Sequence, residues 1–121
     1  MKIYRIENPN TMVGMWYTID SQPSNYIYSI DGISKDLPMP YEPEHYGQGG
    51  KKWFSGCHEK ELMFHWFSLD DVKRLAADGY LLYEFEASEY QVEEYQTIFT
   101  REGIVSQRVI PYSDIWHDYV E

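Results

Sequence analysis

The sequence predicts an α+β domain in which a mixed or antiparallel sheet packs around two central helices. Two observations carry that expectation. Apolar alternation of period two dominates both ends of the chain, whereas helical spacing is confined to the middle. The chain is also 17% aromatic, with 12 Tyr and 4 Trp. Rings bury large areas, so a folded core is expected despite a mean hydropathy of -0.58. With 121 residues, no repeat and no dividing linker, residues 1–121 read as a single domain.

The elements follow in order. "KIYRI" alternates as a strand, with Ile3 and Arg5 on one face and Tyr4 and Ile6 on the other. "GMWYTID" reads as a second strand and "NYIYSIDG" as a third, ending in an Asp31-Gly32 turn. Residues 35–52 hold three Pro and three Gly without periodicity. They read as an irregular loop long enough for a functional role. "WFSG" is a short strand. A first helix fits "HEKELMFHWF", where Leu62, Met63, Trp66 and Phe67 form one apolar face. Ser68 N-caps a second helix, "LDDVKRLAAD", with Asp71 at the reach-back position and Gly79 ending it. "YLLYEFEA" is a strand with Leu81, Tyr83 and Phe85 on one face. "QTIFT" and "GIVSQRVI" then form a hairpin with Gly103 in its turn, and a tail docks through Ile115 and Trp116.

The net charge is -10, and its distribution is uneven. Residues 1–60 carry six cations against seven anions, whereas residues 61–121 carry four against thirteen. Such a field repels phosphate backbones, which excludes direct nucleic-acid binding as the expected role. Cys57 is alone, so no internal disulfide can form and a reducing compartment is expected. The N-terminus lacks a secretory apolar segment, and no run approaches 18 apolar residues. The expectation is a cytoplasmic protein without a membrane contact.

Several chemistries are tested by spacing. His58, Glu61 and His65 share a helical stripe, but Leu62 stands where H-E-x-x-H needs its second histidine. The stripe reads as the wet side of a helix, and no metal is assigned. "GQGGKK" lacks the spacing of a Walker loop. No G-x-S-x-G elbow is present, and Cys57 reads as a buried structural thiol.

The remaining constellation spans the chain: "YRI" in the first strand, "WFSG" after the glycine loop, and "EEYQTIF" at a late strand. In this order it resembles the split motif of ADP-ribosyltransferase-like domains. The resemblance implies that family's fold and a cleft binding NAD or a related nucleotide. Arg5 would hold the ligand, Ser55 would order the cleft, and Glu94 would stabilise the sugar cation as the nicotinamide bond breaks. Tyr17 or Trp53 would stack on the ligand, and Gln96 would contact it from the position where bacterial toxins carry a glutamate. The compact, acidic, ring-rich chain also resembles small accessory proteins of bacteriophages and prophages, which implies action on a host component.

A rival expectation has no catalysis. Glu84, Glu86, Glu89, Glu93 and Glu94 follow one another without an intervening Lys or Arg. Glu84, Glu86 and Glu89 would then dock on a basic nucleic-acid-binding surface of a host protein, as an anti-CRISPR or other anti-defence inhibitor does. A third expectation is a structural domain that dimerises through its aromatic surface.

Overall fold

The structure is a computed structural model, described here over residues 1–12, 14, 53–94 and 96–119. The second and third expected strands, the loop at 35–52 and Tyr17 lie outside the described residues. The α+β class holds. Its sheet content is antiparallel and divides into two three-stranded sheets.

The first sheet has the order β1-β3-β6, formed by Lys2–Glu7 (β1), Leu81–Ala87 (β3) and Ile104–Ile110 (β6). The second has the order β2-β5-β4, formed by Trp53–Gly56 (β2), Tyr90–Val92 (β4) and Thr97–Thr100 (β5). Register in the first sheet sets Ile3 against Phe85, Arg5 against Tyr83 and Ile6 against Leu82. Strand alternation then sends the first two pairs to one face and the third to the other. Ile3, Tyr83 and Phe85 pack with Phe54 and Phe99 of the second sheet, the Phe85 and Phe99 rings lying 5.3 Å apart. Tyr4, Ile6, Leu82 and Ile110 pack on the other face with the helical segment. Tyr4 and Cys57 exchange two backbone hydrogen bonds of 2.8 Å, which join the two sheets edge to edge.

The helical layer departs from the expected pair of central helices. Leu69–Ala77 (α2) is a helix of nine residues, but Met63–Trp66 (α1) is a single turn entered through a 3-10 turn at Lys60–Leu62. The reason is local. Phe67 and Ser68 are extended because Ser68 serves as the N-cap of α2, so α1 has nowhere to continue. Ser68 Oγ accepts from the Asp71 backbone N–H at 3.2 Å, and Asp71 Oδ2 accepts from the Ser68 N–H at 2.8 Å. The reach-back position is therefore occupied as the sequence implies. Gly79, at φ 91°, ends α2 in the left-handed region. Apolar residues of α1, α2 and the tail meet in one cluster: Met63, Trp66, Val72, Leu75, Ile115 and Trp116 are all buried. Among the described residues, two small sheets and one helix longer than a turn do not build the ADP-ribosyltransferase fold implied by the resemblance.

The expected β5–β6 hairpin is also absent. β5 lies between β2 and β4, while β6 pairs with β3. Residues 101–103 carry the chain from one sheet to the other. Gly103 is buried there: its N–H donates to Thr100 Oγ1 at 3.2 Å, and its carbonyl accepts from the Ser88 N–H at 2.7 Å. A Cβ at Gly103 would lie 2.6 Å from Glu89 Cβ and 2.8 Å from the Glu89 backbone nitrogen. Gly103→Ala should therefore lower stability by about 1–3 kcal/mol through overpacking against backbone, read from the urea midpoint.

Candidate functional site

A cavity opens where the two sheets join α1. Arg5, Ser55, Gln96, Cys57, Met63 and Trp66 are among its lining residues. Three of the sequence-predicted residues, Arg5, Ser55 and Gln96, thus meet at one place although they are far apart in the chain. Water-accessible space in the cavity is about 30 Å³, room for a water or two and far below a nucleotide's requirement.

Arg5 is 8% exposed and already engaged. Its Nε donates to Glu7 Oε1 at 2.8 Å, and its Nη1 donates to the Ser55 carbonyl at 2.7 Å. Strand alternation explains the first contact, since Arg5 and Glu7 point to the same face of β1. Glu7 is 2% exposed and also accepts from Arg101 Nη2, whose guanidinium lies over the Phe54 ring at 4.5 Å and the Phe85 ring at 5.1 Å. The same Nη2 donates to the Met12 carbonyl at 3.2 Å. Glu7 and Arg101 organise this region, yet neither stood among the sequence-predicted residues. The i, i+2 pairing of Arg5 and Glu7 was the available signal for one of them; nothing local announced Arg101.

Glu94 does not line the cavity. It is exposed in the turn between β4 and β5, where the Glu93 N–H donates to the Gln96 carbonyl at 2.8 Å. Gln96, immediately before β5, donates through Nε2 to Glu93 Oε1 at 2.8 Å, and its Oε1 is buried with no hydrogen-bond partner among the described residues. Trp53 begins β2, partly buried, and is not among the cavity's lining residues. Ser55 is buried and takes part through its backbone carbonyl. Cys57 is buried, and that burial pushes its thiol up to about 12, so it is a poor nucleophile at neutral pH. His58 and Glu61 do not share a helix: His58 precedes the 3-10 turn and its Nδ1 is 2.7 Å from Thr97 Oγ1. The side chain of His65 lies outside the described residues.

The glutamates of the rival expectation are each held within the molecule. Glu84 Oε1 accepts from Arg108 Nε at 3.0 Å across the β3–β6 pair. That hydrogen bond, with the Arg108 and Lys2 charges, holds the Glu84 carboxyl below the usual range against the opposing effect of burial. The same bond raises Arg108. Burial first, and then the Glu84 charge, raises the Tyr4 hydroxyl. Glu86 pairs with the N-terminal ammonium at 3.2 Å, and Glu89 accepts from Thr100 Oγ1. Glu84, Glu86 and Glu89 are therefore answered from elsewhere in the sheets.

Two antiparallel sheets clasped by a buried ion cluster, with a helical segment packed on one of them, define an α+β protein. This chain belongs to a family of phage proteins, since residues 1–113 match the family described as "Bacteriophage T4 Y00F protein". No curated protein and no solved structure showed a significant match to the chain. Among the described residues no helix is long and apolar enough to cross a membrane.

Removing the central carboxylate by Glu7→Ala leaves two guanidiniums without their buried acceptor. The expected cost is about 3–5 kcal/mol in the urea unfolding free energy. The Glu84–Arg108 pair sets a pH dependence. Because the folded-state pKa of Glu84 is depressed, its contribution is present above the unfolded carboxyl value of about 4.3 and lost as pH falls through the folded value. Glu84→Gln should flatten that acid limb of the melting temperature and leave the profile above it parallel to the parent's.

Proposed function

We propose that this phage-family protein acts by docking on a protein of its bacterial host through exposed carboxylates, without transferring ADP-ribose. One observation carries the reading. Glu59, Glu61, Glu94, Glu102, Asp114 and Asp118 are exposed and form no ion pair among the described residues, whereas Glu7, Glu84 and Glu86 are paired internally. The acidic surplus is thus available to a basic partner, and complementary charge raises the rate and selectivity of such an encounter. The partner class that fits is a host protein whose basic surface serves nucleic acid. The docking residues differ from the sequence expectation, because reversing Glu84 would cost an internal pair.

The transferase reading keeps one supporting observation, the meeting of Arg5, Ser55 and Gln96 at a single cavity. Against it stand the cavity's size, the position of Glu94 outside the lining, and the engagement of Arg5 by Glu7. A nucleotide would have to displace a buried ion pair in order to reach that guanidinium.

The test compares the parent with a Glu94→Lys, Glu102→Lys, Asp118→Lys variant in capture from host extract. The parent should retain a basic host protein that is released as salt rises from about 0.05 to 0.2 M, and the variant should retain none. Melting in millimolar NAD should leave the parent's transition unmoved. A rise of several degrees with NAD, or capture that ignores both salt and the substitutions, overturns the docking reading.

A further inference from the structure

β6 ends the β1-β3-β6 sheet, pairing with β3 on one side and with no strand among the described residues on the other. Residues 105–109 are all exposed, Val105 by 72% and Val109 by 53%. Folded proteins guard such edges with charge, proline or shortness, because an open row of backbone donors and acceptors invites another strand. β6 has seven residues, its only charge is Arg108, and its proline comes only after the strand, at Pro111. Arg108 is itself bound to Glu84.

The strand also reads nearly the same in both directions. "IVSQRVI" is symmetric about Gln107 except at one pair, Ser106 and Arg108. We propose that the outer edge of β6 pairs antiparallel with β6 of a second copy of this chain, about a two-fold axis through Gln107. A two-fold interface must be self-complementary, and this register is. It sets Val105 opposite the copy's Val109, Ser106 opposite Arg108, and Gln107 opposite itself.

Neighbouring registers are worse. An axis at Arg108 would oppose two guanidiniums, and an axis at Ser106 would bring the bulged Val105 into the central rungs, opposite Gln107. Val105 is the extra residue of a bulge opposite Glu86 and Ala87, so the strand is regular from Ser106 onward and the central rungs of the Gln107 register, Gln107 with itself and Ser106 with Arg108, fall within it.

Charge supports the same occupant. Residues 103–113 form the longest acid-free run in the strongly acidic half of the chain, 61–121. Two copies of net charge -10 repel elsewhere and approach most easily along this edge. Association should therefore strengthen as salt screens the remaining repulsion, the opposite of carboxylate docking on a basic partner. The two proposals can fail separately.

Sedimentation equilibrium of the full chain is the test. The mass should climb from 14.5 kDa toward twice that value with concentration, at lower concentration in higher salt. Val109→Lys should stay monomeric with the parent's melting temperature. Under copper-phenanthroline in air, Gln107→Cys should form a disulfide-linked dimer at least tenfold faster than Glu102→Cys, since Cβ atoms facing each other across an antiparallel pair lie about 5 Å apart. Cys57, 4% exposed, does not compete. A mass that stays at 14.5 kDa while the two cysteine variants cross-link equally slowly overturns the proposal, and so does a dimer that Val109→Lys leaves intact.

Discussion

The Glu7 carboxylate, buried between two sheets and shared by two guanidiniums, is the constraint on which the rest of the structure depends. A carboxylate removed from water is tolerated only when charge and hydrogen bonds replace its hydration. Here Arg5 comes from the same strand, and Arg101 arrives from the residue that follows β5. The two sheets must close on each other for Arg101 to reach it. Arg101 then lies over Phe54, Phe85 and Phe99, so the charge cluster and the aromatic core form one packed unit. Arg5 adds a bond to the Ser55 carbonyl, fastening β1 to β2 directly.

The first sheet therefore separates two different interiors. On one face rings and an ion cluster meet the second sheet; on the other, aliphatic and aromatic side chains meet a helix and two turns. Val72 and Leu75 seat α2, while Tyr112 donates its hydroxyl to the Tyr80 carbonyl at 2.7 Å and ties the tail to the chain leaving α2. β6 takes part in both interiors only at its ends, through Ile104 and Ile110, and its middle is left to solvent.

This arrangement governs what the phage-family chain offers to its surroundings. The arginine that faces the cavity between the sheets and α1 is bound by a neighbour. The chain's outward chemistry is not consumed: exposed carboxylates lie on several elements, and one unguarded strand edge carries no acid. Both proposed contacts, carboxylate docking and edge pairing, draw on these surfaces. Salt would weaken the proposed docking and strengthen the proposed edge pairing, so ionic strength separates the two proposals.

Strand faces, the Ser68 cap with Asp71 reaching back, the stop at Gly79 and the burial of Cys57 were legible in the sequence, because alternation, capping and the hydrophobicity of a thiol act over a few residues. The same local rules misread "REG" as a hairpin turn. Pairing partners are chosen by contacts far along the chain, and the burial of Gly103 against Glu89 sends β6 to β3. They also extended α1 past its single turn, since apolar spacing does not show that Ser68 must be extended to cap its own helix. The acidic run from Glu84 to Glu89 looked unpaired for a similar reason: Arg108 and the amino terminus reach it only across strands. Arg5 and Ser55 meet as their places in the strands allow, but only the closed sheets reveal that Glu7 holds the guanidinium and that Glu94 lies elsewhere. Local pattern determined the elements and their faces; the need to neutralise a buried carboxylate while packing rings around it decided how they assembled.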